Sequence, residues 1–208
     1  MTKSSAVFAS GFVALCMFAG SSAQANPATE AFIQENFNKG YTILNNMALS
    51  DSERRAQFRT LLVSLAASRR IALFTLGTYA TGAAPATLDG FVDAFTKYSF
   101  ATYEKGLNRY DGQTLKVTGS TDRAADDSIV QADILSANPA DGRSIKVGFR
   151  VRKSEAGAPV ITDVLIEGIS LASAERDEFT AYLKQHDGSI PALSKRLDAM
   201  AEKGEPVN

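Results

Sequence analysis

Apolar residues recur at helical spacing at Ile33, Phe37, Tyr41, Leu44 and Ala48, which predicts a first helix. Ser50-Asp51-Ser52-Glu53 then has the form of a capping box, opening a second helix through Phe58, Leu61, Leu62 and Leu65. Ile71 to Tyr79 is apolar on nearly every side, the mark of a buried helix. Gly77 near its end suits a helix stop or a close backbone approach. Pro85 fits the first turn of a further helix. Its stripe is Leu88, Phe91, Val92, Phe95, Tyr98, Thr102 and Tyr103, widened by Phe100, Leu107 and Tyr110.

The period changes after the turn signal Asp111-Gly112. Leu115 and Val117 mark one strand, and Val130, Ala132 and Ile134 alternate in the next. Ile145, Val147, Phe149 and Val151 form the apolar face of a third, against Lys146, Gly148, Arg150 and Arg152. In the fourth, Val160, Thr162, Val164 and Ile166 are expected on one face and Ile161, Asp163, Leu165 and Glu167 on the other, with Gly168 ending the run. Ile169 and Leu171 lead into a helix that Ser170 or Ser173 can cap. The links at Thr121–Asp127, Asn138–Gly142 and Glu155–Gly157 suit hairpins, so a meander is the simplest topology. Helices over Ala174–His186 and from Ser189, with Leu193, Leu197 and Met200 inward, close the chain. The expectation is one α+β domain. An antiparallel four-stranded meander sheet packs against N- and C-terminal helices and encloses an apolar cleft.

Composition narrows the function. The 208 residues are 45% hydrophobic and 22% charged, with net charge −1, so there is no basic excess to bind nucleic acid. A chain of this size buries roughly 70% of its unfolded surface and needs no staples. Lys3, the apolar run Ala6–Ala19 and Ala23-Gln24-Ala25 read as a signal peptide. The domain boundaries are therefore 1–25, removed, and 26–208, mature. Cys16, the single cysteine, falls in the leader, so the exported product has no disulfide.

Catalytic equipment is sparse. His186, the single histidine, sits at a helix end, where it suits the helix dipole. Nucleophile-elbow, phosphate-loop and zinc-protease motifs are absent from the sequence. Asp163 and Glu167, four residues apart on a strand, lie about 13 Å from each other, too far to act on one atom. Asp122, Asp126 and Asp127 read as a solvated acidic loop. Arg69, Arg70, Arg150, Arg152 and Lys153 read either as an ordinary charged face or as cations near a pocket mouth. No enzymatic activity, cofactor or metal is expected.

Three segments carry a family resemblance. D-V-L-I-E-G-I-S-L at Asp163–Leu171, with Arg176 and Phe179, resembles the signature of the MlaC, or toluene-tolerance, family of periplasmic phospholipid-binding proteins. I-A-L-F-T-L-G-T-Y at Ile71–Tyr79 resembles a second element of that family. F-x-x-A-F at Phe91–Phe95 with Tyr103, Leu107 and Tyr110 resembles its long helix. The resemblance implies a periplasmic monomer that shuttles phospholipid as cargo. Its implied partners are an outer-membrane lipoprotein complex and an inner-membrane Mla-type ABC transporter complex, a trafficking route that serves outer-membrane asymmetry.

The apolar faces of these segments supply the candidate lipid-lining residues. They are Leu73, Phe74, Leu76, Tyr79, Phe95, Tyr98 and Tyr103 from the helical half. Val147, Phe149, Val151, Val164, Ile166, Ile169 and Phe179 come from the sheet and the helix after it. Three alternatives stay open: a carrier of hopanoid or another hydrophobic ligand, a small α+β enzyme using Asp163 or Tyr103, and an interaction module whose core is filled by its own side chains.

Overall fold

The structure, a computed structural model, describes residues 25–107, 110–138, 140 and 142–203. The expected leader, except Ala25, lies outside the described residues, as do the side chain of Leu107 and parts of the Asn138–Gly142 link. The helices are α1 (Pro27–Leu44), α2 (Asp51–Leu65), α3 (Ser68–Leu76), α4 (Pro85–Leu107), α5 (Leu171–Gln185) and α6 (Ile190–Lys203). The strands are β1 (Thr114–Ala124), β2 (Asp127–Leu135), β3 (Ser144–Lys153), β4 (Pro159–Ile166) and β5 (Ile169–Ser170). They form one antiparallel sheet in the order β1-β2-β3-β4-β5. Among the described residues no helix is long and apolar enough to cross a membrane.

Local chemistry sets the helix ends. Asn26 Oδ1 accepts from the Thr29 amide, ahead of Pro27 in the first turn of α1. The expected capping box on α2 is present: Ser50 Oγ accepts from the Glu53 amide at 3.3 Å, and Glu53 Oε2 accepts from the Ser50 amide at 2.7 Å. α1 ends at Leu44, so Ala48 lies beyond it. The apolar segment Ile71–Tyr79 is α3 followed by a 3₁₀ turn over Gly77–Ala80. It is not buried all round. Ala72, Thr75 and Leu76 are buried, while Phe74 is 42% exposed.

The sheet departs from simple alternation in its fourth strand and at the turn after it. Opposite the step from Arg150 to Val151, β4 carries an extra residue. Arg150 faces Asp163 and Val151 faces Ile161, leaving Thr162 as the bulge. Ile161 therefore shares the core face with Val164, and Val160 and Thr162 do not hold the places expected of them. Glu167-Gly168, both at positive φ (49° and 83°), turn the chain tightly enough for Ile169 to pair with Ile166. That hairpin adds β5 to the four expected strands. Glu167 is thus a turn residue: its amide donates to the Lys146 carbonyl, and its Oε1 accepts from the Lys146 amide, both at 2.9 Å.

Both outer edges are engaged. On β1, Gln34 of α1 accepts from the Val117 amide and donates to the Leu115 carbonyl. On β4, the link between α2 and α3 runs parallel beside Ile161, and the Ala67 amide donates to the Ile161 carbonyl at 2.9 Å.

Two hydrophobic clusters fill the interior. One is helical, with Ala72, Leu76, Phe91, Phe95, Tyr98, Phe179, Leu183, Leu193 and Leu197 buried between α3, α4, α5 and α6. The other joins Ile33 of α1 to Leu115, Val130, Ala132, Val147, Phe149 and Val151 of the sheet. Gly40 brings α1 close to α2, since a Cβ there would lie 3.1 Å from the Phe58 ring.

Candidate functional site

The candidate lining residues divide between these clusters and the surface. Leu76, Phe95, Tyr98 and Phe179 are buried in the helical cluster, with Leu73 and Tyr79 packed against it. Phe179 stands edge-on to Phe91 and Phe95, with ring centroids 6.2 and 6.3 Å away. Val147, Phe149 and Val151 are buried in the sheet cluster, with Val164 against it and Phe37 of α1 edge-on to Phe149 at 5.3 Å. Phe74, Tyr103, Ile166 and Ile169 are exposed, by 42, 48, 41 and 66%. These four present apolar surface that the described residues leave partly uncovered.

The seam between the clusters is polar in part. Asp163 of β4 accepts from the Ser170 hydroxyl at 2.6 Å and from the Ala172 amide at 3.1 Å, and Ser170 Oγ accepts from the Ser173 amide. Both carboxylate oxygens of Asp163 are thus taken up in starting α5. Tyr103 of α4 is nearly half exposed, yet burial, helped by Glu175, Asp163 and Tyr98, pushes its phenol up to about 12. Tyr103 is also one of the residues that line a groove between α2 and α4. A tyrosine base would need a lowered value, so Tyr103 is not set up for proton abstraction.

Glu175 of α5 belongs to the same seam. Burial, with repulsion from Glu178 and Asp163, pushes its carboxyl from 4.5 to about 7. The folded chain therefore holds a proton between those values that the unfolded chain has lost, and stability from this group falls as pH rises through the window. Glu175→Gln is expected to raise Tm by a few degrees at about pH 8 and by much less at about pH 5, a domain of this size gaining about 2–4 °C per kcal/mol. Thermal melts of both proteins at the two pH values check this, and equal gains would rule out ionisation as the cause.

A second stretch of this surface lies between α2 and α4. Arg55, Phe58, Arg59 and Leu62 line one side of a narrow, closed groove, and Phe100, Tyr103 and Glu104 the other. The Arg59 guanidinium lies over the Phe100 ring at 4.9 Å. The sequence places Phe58 and Leu62 on the second helix and draws no attention to either arginine. The available signal was spacing, because Arg55 and Arg59 fall at i and i+4 beside Phe58 and Leu62.

Three of the five cations singled out by sequence have carboxylate partners. Arg150 is bidentate to Asp127, at 2.9 and 2.5 Å, and holds that carboxyl below its usual range. Arg152 lies 4.0 Å from Asp126 and Asp127, and Arg69 pairs with Asp89. The acidic loop is consequently not a solvated run. Asp127 is buried, and Asp122 accepts from Ser128 and Asn26. His186 caps the end of α5, with Nδ1 2.8 Å from the Tyr182 carbonyl and its ring stacked on Tyr182. Among the described residues no group of three or more His, Cys, Asp or Glu is arranged to hold a metal.

Comparison with known proteins bears on this geometry. The profile of the family described as MlaC protein matches residues 34–199. Among solved structures, the phospholipid-binding protein from Ralstonia solanacearum, determined in complex with a phospholipid, shares 21% identity. The match covers 82% of this chain and 97% of that one, with a TM-score of 0.67, a likeness of fold. Comparison with curated protein sequences returned no match.

Proposed function

Because the chain belongs to the MlaC family, we propose that it is a periplasmic carrier of phospholipid. In this reading it accepts lipid from an outer-membrane lipoprotein complex or an inner-membrane Mla-type ABC transporter complex and delivers it to the other. The observation that carries the reading is Tyr103, a half-exposed aromatic side chain that lines a groove between α2 and α4. The shared fold of a protein solved with phospholipid supports it.

The energetics need no catalytic group. Each methylene removed from water contributes about 0.8 kcal/mol, so acyl chains are held by apolar lining and shape. The seam already exposes Tyr103, and Phe74, Ile166 and Ile169 add uncovered apolar surface. Residues such as Leu76, Phe149 and Phe179 become lining as the clusters part around the cargo.

The test is to express the chain from Asn26, purify it without detergent and extract it for mass spectrometry. The expected result is stoichiometric two-chain phospholipid. Extracted hopanoid would replace phospholipid as the cargo. An empty protein that also takes no lipid from labelled vesicles would overturn the carrier reading.

A further inference from the structure

We propose that Arg55 and Arg59 form a subsite for the phosphate of the cargo lipid, at the mouth of the cleft between α2 and α4. The inference rests on the carrier reading and adds to it a place for the headgroup.

The two arginines stand one helical turn apart on α2, so their charges repel at close range. Among the described residues neither makes an ion pair. The adjacent Arg54, by contrast, is tied to Asp51 and to the carbonyls of Asn46 and Leu49. Both side chains line the cleft from exposed positions, above Phe58 and Leu62 of their own helix and opposite Phe100 and Tyr103. A pair of uncompensated guanidiniums over an apolar floor matches a molecule with a phosphate at one end and hydrocarbon at the other.

The geometry of Arg59 strengthens the match. Its guanidinium carbon stands 4.9 Å from the centre of the Phe100 ring, close enough for a cation–π contact to hold it there. The edge N–H groups remain free to donate, and the planar fork suits two phosphate oxygens at once. Glu104 brings one negative charge to the same rim without pairing with either arginine. The mouth thus keeps one net positive charge, which equals in size the single negative charge of a phosphodiester.

The experiment compares two ligands with identical acyl chains, phosphatidylglycerol and diacylglycerol, each offered at trace level in phosphatidylcholine vesicles. Wild type is expected to load phosphatidylglycerol in preference to diacylglycerol. In R55Q/R59Q the ratio of the two is expected to fall about tenfold, the size of a lost pair of charge-assisted bonds. R55K/R59K, which keeps the charge but not the fork, is expected to recover part of the ratio. An R55Q/R59Q ratio equal to that of wild type would overturn the subsite and leave the carrier standing. Failure of R55K/R59K to recover any of it would overturn the role of charge. A wild-type protein that loads neither ligand would overturn the carrier reading itself.

Discussion

Phe179→Ala is expected to destabilise the fold by about 3–5 kcal/mol, which lowers Tm by on the order of 10 °C. The ring is 1% exposed and meets Phe91 and Phe95 edge-on, so its removal opens a void between α4 and α5. The cost combines lost transfer free energy with a cavity that the surrounding rings fill poorly. Urea unfolding followed by circular dichroism measures it, with the midpoint falling and the slope unchanged. Phe74→Ala is the control. Its side chain is 42% exposed, with the Arg176 guanidinium 5.2 Å from the ring centre, and a loss as large as that of Phe179 would contradict its placement outside the cluster.

Gly77→Ala is expected to cost about 2–3 kcal/mol, through backbone strain and a collision together. Gly77 has φ 56° and ψ −130°, a region that side chains with a Cβ avoid. An added Cβ would also lie 2.9 Å from Arg176 Nε, so the guanidinium could not stay against this turn. Gly82→Ala separates the two causes. Its φ is 77°, but a Cβ there meets nothing within 4 Å, and a cost of about 1 kcal/mol is expected from strain alone. Equal losses at both positions would show that Arg176 is not part of the effect.

The helices were legible in sequence because each carries its own punctuation. Ser50 and Glu53 announce α2, Pro85 opens α4, and the stripe of Phe91, Phe95 and Tyr98 is the face that α4 buries. The first three strands were legible through alternation, and Val147, Phe149 and Val151 do share one face. Alternation failed in β4 because the Thr162 bulge is set by pairing with β3, which no local pattern records. β5 escaped notice because its turn uses Glu167, a residue that rarely adopts positive φ, in place of asparagine or aspartate before glycine.

The site was less legible than the fold, for a physical reason. Core filling and cavity lining call on the same residue types at the same spacing, and only the arrangement of layers distinguishes Phe95 from Tyr103. The difference also changes which variants can be informative. A charge at Phe149, packed on Phe37, would cost the sheet cluster, so its effect on lipid could not be separated from unfolding. Tyr103 and Ile166 accept polar replacement without that cost, because they already meet water.

The way the sheet ends bears on the behaviour of the chain at high concentration. An open strand edge is a row of unused donors and acceptors on which another molecule can build, and so a starting point for aggregation. Here the amide of Gln34 occupies one such row at Leu115 and Val117. Along the other, Ala67 and β5 take up positions on either side of the Thr162 bulge, which itself interrupts regular pairing. A protein with uncovered isoleucines at Ile145, Ile166 and Ile169 has adhesive surface to spare. With these stretches of both edges engaged by the chain itself, growth of fibres from them is disfavoured.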